Sequence, residues 1–78
     1  MKICVICECG WIIIGDKDAS KINTTTIYLC NASVVRRWSN GRGIGGIAKK
    51  ENRDEYTLDP IGDVEIYQSK ILFIIPCE

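Results

Sequence analysis

The sequence predicts a mainly β protein built on one small antiparallel sheet of five to six strands, open or curled into a barrel, with one or two short helical turns. Three observations lead to this fold class. Apolar and β-branched residues come in short runs, polar or glycine-containing turns separate those runs, and no segment has the pattern of a long crossover helix. The 78 residues form a single domain, 1–78, of the size of an SH3-like or OB-like barrel.

The first half of the chain carries the strongest strand patterns. Residues 2–8 are almost continuously apolar, which predicts a strand buried on both faces. Cys9 and Gly10 fit a two-residue hairpin turn, because Gly10 tolerates the positive φ that such turns require. The return strand is expected at 11–15 and a third strand, rich in threonine and isoleucine, at 21–30.

The second half is predicted to be less regular. Val34, Val35 and Trp38 fall at three- and four-residue spacing, which indicates a short helical turn, and a second turn of helix is expected at 47–52. Residues 58–62 contain proline and glycine and are interpreted as a turn.

Two more strands complete the predicted sheet. Residues 63–67 alternate between polar and apolar side chains, and 71–77 form a last apolar strand. The first and last strands are both strongly apolar, so we expect them to pair and close the sheet.

Composition and length indicate the class of protein, its location and its oligomeric state. Hydrophobic residues make up 46% of the chain and ten cations balance ten acids, which is typical of a folded globular protein. No apolar run approaches the roughly 18 to 20 residues that span a bilayer, so we expect a cytoplasmic chain without a membrane partner. A domain this short buries only about 60% of its unfolded surface, so we also expect a homo-oligomer.

Charge is unevenly distributed. Residues 36–53 hold six cations and one acid, a balance of +5, whereas residues 54–65 hold five acids and no cation, a balance of −5. This pattern suits a basic site beside an acidic rim, or two faces that meet between subunits.

The candidate site lies within residues 31–46, where arginines, a tryptophan, amides, hydroxyls and glycines are concentrated. A glycine-rich loop brings backbone N–H groups close to an anion, and arginines supply forked donors to phosphate oxygens. A tryptophan ring offers a face to a base. The composition therefore predicts a site for a nucleotide-like small ligand, with these candidate residues: Asn31, Ser33, Arg36, Arg37, Trp38, Asn40, Arg42, Gly43 and Gly45.

The same segment has an equally weighted alternative interpretation. In this interpretation the segment is a connector in which Trp38 plugs one end of the barrel and the arginines pair with the acidic residues that follow. Whether Arg36 and Arg37 point the same way is open, because neighbours on a strand face opposite sides whereas neighbours on a helical turn diverge by about 100°.

Other chemistries fit the sequence poorly. Cys4 and Cys7 have a C-x-x-C spacing, but no second pair and no histidine accompany them, so we expect buried, reduced thiols and no metal. The absence of histidine removes the commonest general base, and we expect neither enzymatic activity nor a cofactor. Glycines 41, 43 and 46 match GxGxxG outside the strand-turn-helix context that a dinucleotide fold requires.

Three stretches carry a resemblance. The runs NASVVRRW at 31–38, RGIG at 42–45 and LDPIGDV at 58–64 resemble a group of short proteins of unknown function encoded in bacteriophage and prophage genomes. The cysteines and the Lys49-Lys50 pair depart from that group. The resemblance implies a phage or prophage protein in the host cytoplasm. By analogy with small symmetric phage oligomers that sequester nucleotide alarm signals, it implies a counter-defence role through second-messenger sequestration.

Two alternatives stay open. A nucleic-acid-binding small barrel would stack bases on Trp38 and Tyr67, although zero net charge counts against it. A protein-binding inhibitor or assembly factor would use exposed strand edges or the acidic residues 54–65.

Overall fold

The chain forms one antiparallel sheet of five strands. The computed structural model describes residues 1–21 and 24–78. The strands lie in the spatial order β4-β3-β2-β1-β5, which confirms the mainly β prediction. In chain order they are β1 (Lys2–Cys7), β2 (Ile12–Lys17), β3 (Thr26–Trp38), β4 (Tyr56–Tyr67) and β5 (Ile71–Pro76).

The predicted pairing of the first and last strands is confirmed. β1 runs antiparallel to β5, with Ile3 opposite Pro76 and Val5 opposite Ile74. This pairing does not close the sheet, because β4 and β5 are its two edges and the described ladders do not join them. Each edge strand therefore presents one row of unpaired backbone groups.

Strand β1 is covered on both faces, as its continuous apolar sequence predicts. Alternate residues enter two core clusters that lie on opposite sides of the strand. The first cluster contains Ile3, Val5, Cys7, Leu29, Ala32 and Ile66. The second cluster contains Cys4, Ile6, Ile14, Val35, Ile47 and Tyr56.

β3 and β4 form a long ribbon whose two halves join different clusters. The register shifts between Leu29 and Ala32, again between Ala32 and Ser33, and a third time between Val35 and Arg37. Bulges of this kind bend a strand and increase its twist. Leu29 consequently packs in the first cluster, whereas Val35 packs in the second.

Two local predictions were wrong. The helical turn expected at Val34, Val35 and Trp38 does not form, because β3 continues to Trp38. Residues 58–62 do not form a turn either, since they lie inside β4. That strand accommodates proline because it is an edge, and its ladder is irregular near Gly62, where φ is +79°.

The remaining connections are short. The first hairpin turns through a 3₁₀ helix at Glu8–Gly10, with positive φ at Cys9 and Gly10, so it is longer than the two residues expected. The third strand begins at Thr26, and residues 22–23 of the predicted strand at 21–30 lie outside the described residues.

Between β3 and β4 the chain forms more 3₁₀ helix than expected at 47–52. Two such helices occupy Ile44–Ala48 and Lys50–Glu55, and a further one, Gln68–Lys70, joins β4 to β5.

Candidate functional site

A β-bulge at the end of β3 puts two neighbouring arginines on the same face. Val35 and Trp38 both pack in the second cluster, although a regular strand would place residues three apart on opposite faces. β3 has one extra residue in the register between Val35 and Arg37, and this returns Trp38 to the face of Val35. Arg36 and Arg37 therefore both point away from that cluster. The question that the sequence left open is answered by this bulge.

The facing strand agrees with this placement. Arg37 lies opposite Thr57, and Thr57 stands between Tyr56 and Leu58, which both pack in the second cluster. Thr57 therefore points outward together with Arg37, and Asp59, two residues on, shares its face. The exposed side of the ribbon formed by Arg36, Arg37, Thr57 and Asp59 is called the arginine face below.

The two arginines differ in their partners. Arg36 Nε lies 3.1 Å from Asp59 Oδ2, and both side chains are more than half exposed. Such a surface ion pair contributes about 1 kcal/mol at most, so Asp59 is a partner that another anion can replace at low cost. Arg37 is exposed, and its guanidinium has no hydrogen bond or ion pair within residues 1–21 and 24–78.

In residues 39–55, called the glycine connector below, both arginines bond within the fold, whereas the buried Asn40 Nδ2 has no hydrogen-bond partner among the described residues. Arg42 Nε donates to Glu55 Oε1 at 2.8 Å, and the Arg42 backbone N–H donates to Asn40 Oδ1 at 2.9 Å. The Arg53 guanidinium donates to the carbonyl oxygens of Ile47 and Ala48, at distances between 3.0 and 3.4 Å. These cations therefore hold the connector in shape.

The glycines of the connector also serve packing. The Tyr56 hydroxyl donates to the Gly43 carbonyl oxygen, and Asn52 Nδ2 donates to the Gly46 carbonyl oxygen at 3.2 Å. A Cβ on Gly46 would lie 2.6 Å from the Tyr56 hydroxyl and 2.7 Å from Arg42 Cβ, so no side chain fits there. Gly45, by contrast, is exposed and has open space around it.

Trp38 faces the core and not the arginines. It is half-buried, and its ring centroid lies 5.9 Å from that of Tyr56 with the planes inclined by 38°. Tilted pairs at this distance are favourable aromatic contacts. Trp38 therefore packs at this end of the core, as in the connector interpretation, on the opposite side of the ribbon from Arg36 and Arg37.

Two further candidates lie towards the middle of β3. Asn31 adopts a φ of +50°, and its backbone N–H donates to Asp63 Oδ1 at 3.2 Å. Ser33 is half-buried opposite Ile14 of β2. Asn31 is five residues from Arg36, at most about 16 Å along β3, and the register shifts at Ala32 and Ser33 lie between them.

A concave region lies at the other end of the ribbon. This lysine cleft has a volume of about 530 Å³ and is lined by Lys17, Lys21, Tyr28 and Thr26, among others. Lys21 Nζ lies 5.2 Å from the Tyr28 ring centroid, a cation-π distance. Thr26 lies ten residues before Arg36 in β3 and pairs with Tyr67 of β4. In the sequence, the cleft is indicated only by the lysines Lys17 and Lys21 in the polar segment 16–21.

The cysteines do not converge. Cys4 and Cys7 belong to different core clusters, and Cys9 is exposed. Burial, reinforced by the nearby Cys77, raises the pKa of the Cys4 thiol to about 12. Among the residues that the structure describes, no group of three or more metal-binding side chains comes together.

Comparisons with known proteins assign no family to this chain. No family model, curated protein or solved structure matches it. The described part of the chain also contains no helix of the length and apolarity that crossing a membrane requires.

Proposed function

We propose that this protein is a non-enzymatic binding protein of phage or prophage origin that sequesters a phosphorylated small ligand in counter-defence. The ligand class is a cyclic or modified nucleotide signal that is held without turnover. The observation that carries the proposal is the bulge that directs Arg36 and Arg37 to one exposed face. A homo-oligomer, expected from the length of the chain, belongs to the same proposal.

The chemistry of the arginine face suits a phosphate. A guanidinium offers parallel N–H donors that match two oxygens of one phosphate group. Two neighbouring arginines can engage two phosphates, or two edges of one, and the exposed Thr57 hydroxyl opposite Arg37 adds a further donor. The Arg37 guanidinium, which has no partner in the described part of the chain, can bind an anion, and Arg36 needs only to exchange Asp59 for one.

Binding without turnover is supported by the scarcity of free catalytic groups near the arginines. Glu55 is bonded to Arg42 and stays engaged as an acceptor when a ligand replaces Asp59 on Arg36. The sequence contains no histidine to act as a general base in their place.

The test is native mass spectrometry and titration calorimetry with a panel of cyclic di- and trinucleotides and ADP-ribose derivatives. Wild-type protein is expected to retain one of them with its mass intact. Arg37→Ala is expected to weaken binding about tenfold or more, because a hydrogen bond to a charged group contributes roughly 1.5 to 3 kcal/mol.

Two matched variants sharpen the result. Lys21→Ala removes an exposed cation at the other end of the ribbon and should leave binding unchanged. Asp59→Asn removes the anion that competes for Arg36 and should keep or strengthen binding. Loss of binding in Lys21→Ala with retention in Arg37→Ala would assign the ligand to the lysine cleft and contradict the proposal.

The nucleic-acid alternative gains less support. Trp38 lies opposite Tyr56 and Tyr67 opposite Thr26, so the two aromatic residues stand at opposite ends of the ribbon and do not form one stacking platform. A short single-stranded oligonucleotide in the same panel separates the two cases, because its binding should weaken steeply with salt.

A further inference from the structure

The edge strand β5 is apolar and exposed. Leu72, Phe73 and Ile74 are consecutive and have 64%, 52% and 41% of their surface exposed. Phe73 lies opposite Ile6 and Ile74 opposite Val5, so their side chains stand on opposite faces of the sheet. Residues 71–77 contain no charged side chain. An edge with both faces apolar and no charge is a template for pairing with another strand.

The free backbone groups of β5 can be identified from its pairing with β1. The Cys77 N–H donates to the Lys2 carbonyl oxygen at 2.9 Å. In an antiparallel pair alternate residues bond to the neighbour, so Ile75 and Phe73 also direct their backbone groups at β1. Ile74 and Pro76 then direct theirs at the open edge, and Pro76 has no N–H to offer. Ile74 is thus the residue that presents both a donor and an acceptor there.

The other edge of the sheet is protected against pairing. β4 carries Asp59, Asp63 and Glu65, together with Pro60 and Gly62, in its exposed part. β5 also contains a proline, at its last residue, and one register shift next to Phe73, so the acidic side chains are the edge-blocking feature that distinguishes β4 from β5. Placing β4 against β5 would bring acidic side chains against an uncharged apolar strand, whereas a second β5 matches β5 in both charge and apolarity.

We infer that β5 pairs antiparallel with β5 of a second copy of this chain, about a two-fold axis at Ile74, to form a dimer with one continuous ten-stranded sheet. In this register Ile74 exchanges two hydrogen bonds with the partner's Ile74, and Phe73 lies beside the partner's Ile75. Leu72 lies opposite the partner's Pro76, where the missing proline N–H and the register shift between Phe73 and Ile71 limit the ladder, so the pairing depends on Ile74.

Symmetry supports the same arrangement. Pairing of β5 with itself is isologous and closes after two copies, which uses both exposed edges and leaves only the protected β4 strands at the ends. Pairing of β5 with β4 would be heterologous and would continue into rings or fibres. The dimer also covers apolar surface that a 78-residue chain leaves exposed.

The first experiment is sedimentation velocity on two lysine variants. Ile74→Lys and Ile61→Lys introduce the same charge at residues that are each 41% exposed, one on β5 and one on β4. Wild-type protein and Ile61→Lys are expected to sediment as dimers, and Ile74→Lys as a folded monomer with unchanged far-ultraviolet circular dichroism. A monomeric wild type over the whole concentration range, or a dimeric Ile74→Lys, would overturn the inference.

The second experiment needs no variant. Hydrogen exchange of wild-type protein is followed by NMR at high and low concentration. The Ile75 amide bonds to β1 and should be protected at both, whereas the Ile74 amide should be protected only at high concentration. An Ile74 amide that exchanges freely at every concentration would contradict the inference, even if the apolar side chains were covered in another way.

The dimer and the ligand are tested separately. Arg37 lies on the ribbon of β3 and β4, which is at the opposite edge of the sheet from β5. Ile74→Lys is therefore expected to bind the nucleotide panel like wild type, so the failure of one proposal leaves a distinct signature from the failure of the other.

Discussion

The end of β3 and the glycine connector that follows it have similar compositions, but their arginines have different roles. In the connector, Arg42 bonds to Glu55, Arg53 bonds to two backbone carbonyls, and the carbonyls of Gly43 and Gly46 accept side-chain donors. On the arginine face, Arg37 has no partner among the described residues and Arg36 holds one exposed acid. Arginine and glycine content does not by itself mark a site. The distinguishing property is whether the polar groups already have partners within the fold.

The largest expected effect concerns packing inside the glycine connector. Gly46→Ala would bring its Cβ within 2.7 Å of Tyr56 and Arg42, and we expect it to lower the free energy of unfolding by about 1 to 3 kcal/mol. Gly45→Ala is the matched control, because nothing lies within 4 Å of its Cβ position and its φ is not in the left-handed region. Urea unfolding of both variants decides the point. Equal stability would mean that the connector is not packed as described.

A smaller difference is expected between the arginines. Arg42→Ala removes the ion pair with Glu55 and should cost about 0.5 to 1 kcal/mol of unfolding free energy. Arg37→Ala removes no bond and should change it by less than about 0.5 kcal/mol. Chemical denaturation measures both values, and a costly Arg37→Ala would assign that residue to the framework and weaken the case for a binding role.

The smallest effect concerns pH. The Glu78 carboxylate accepts from the Lys50 backbone N–H and lies near Lys49, and these contacts lower its pKa below the ordinary 4.5. A lowered folded-state pKa means that the carboxylate stabilises the connector above pH 4.5 and that this contribution is lost as the pH falls through the lowered value. Glu78→Gln should therefore be less stable than wild type at neutral pH and should converge with it in acid. Parallel curves of stability against pH would contradict this linkage.

The strands could be predicted where a continuous run of apolar residues marks them in the sequence. β1 is apolar at every position from Ile3 to Cys7 because both of its faces are buried, and β5 is equally apolar although one of its edges is open. Hydrophobicity alone does not distinguish a buried strand from an exposed one. That distinction depends on which neighbours the topology supplies.

The errors and the gaps have physical causes. An apolar spacing of three residues, Val35 to Trp38, occurs on a helix, but a bulged strand produces it as well. Pro60 and Gly62 predict a turn from their residue types. In the structure they lie in an edge strand, near an irregular part of its ladder. The pairing of Arg36 with Asp59 depends on the register of two strands far apart in the chain, which no local pattern specifies.

The bulge at Arg36 also has a meaning for how such a surface arises. In an alternating strand only one outward residue fits between two inward ones, so substitution alone adds no second cation between Val35 and Trp38. A strand without Arg36 would keep both anchors in the core with a single arginine between them. Inserting one residue into the strand therefore doubles the positive charge at that point and leaves the interior packing unchanged. The number of charges on this face is then set by the number of residues between the two anchors.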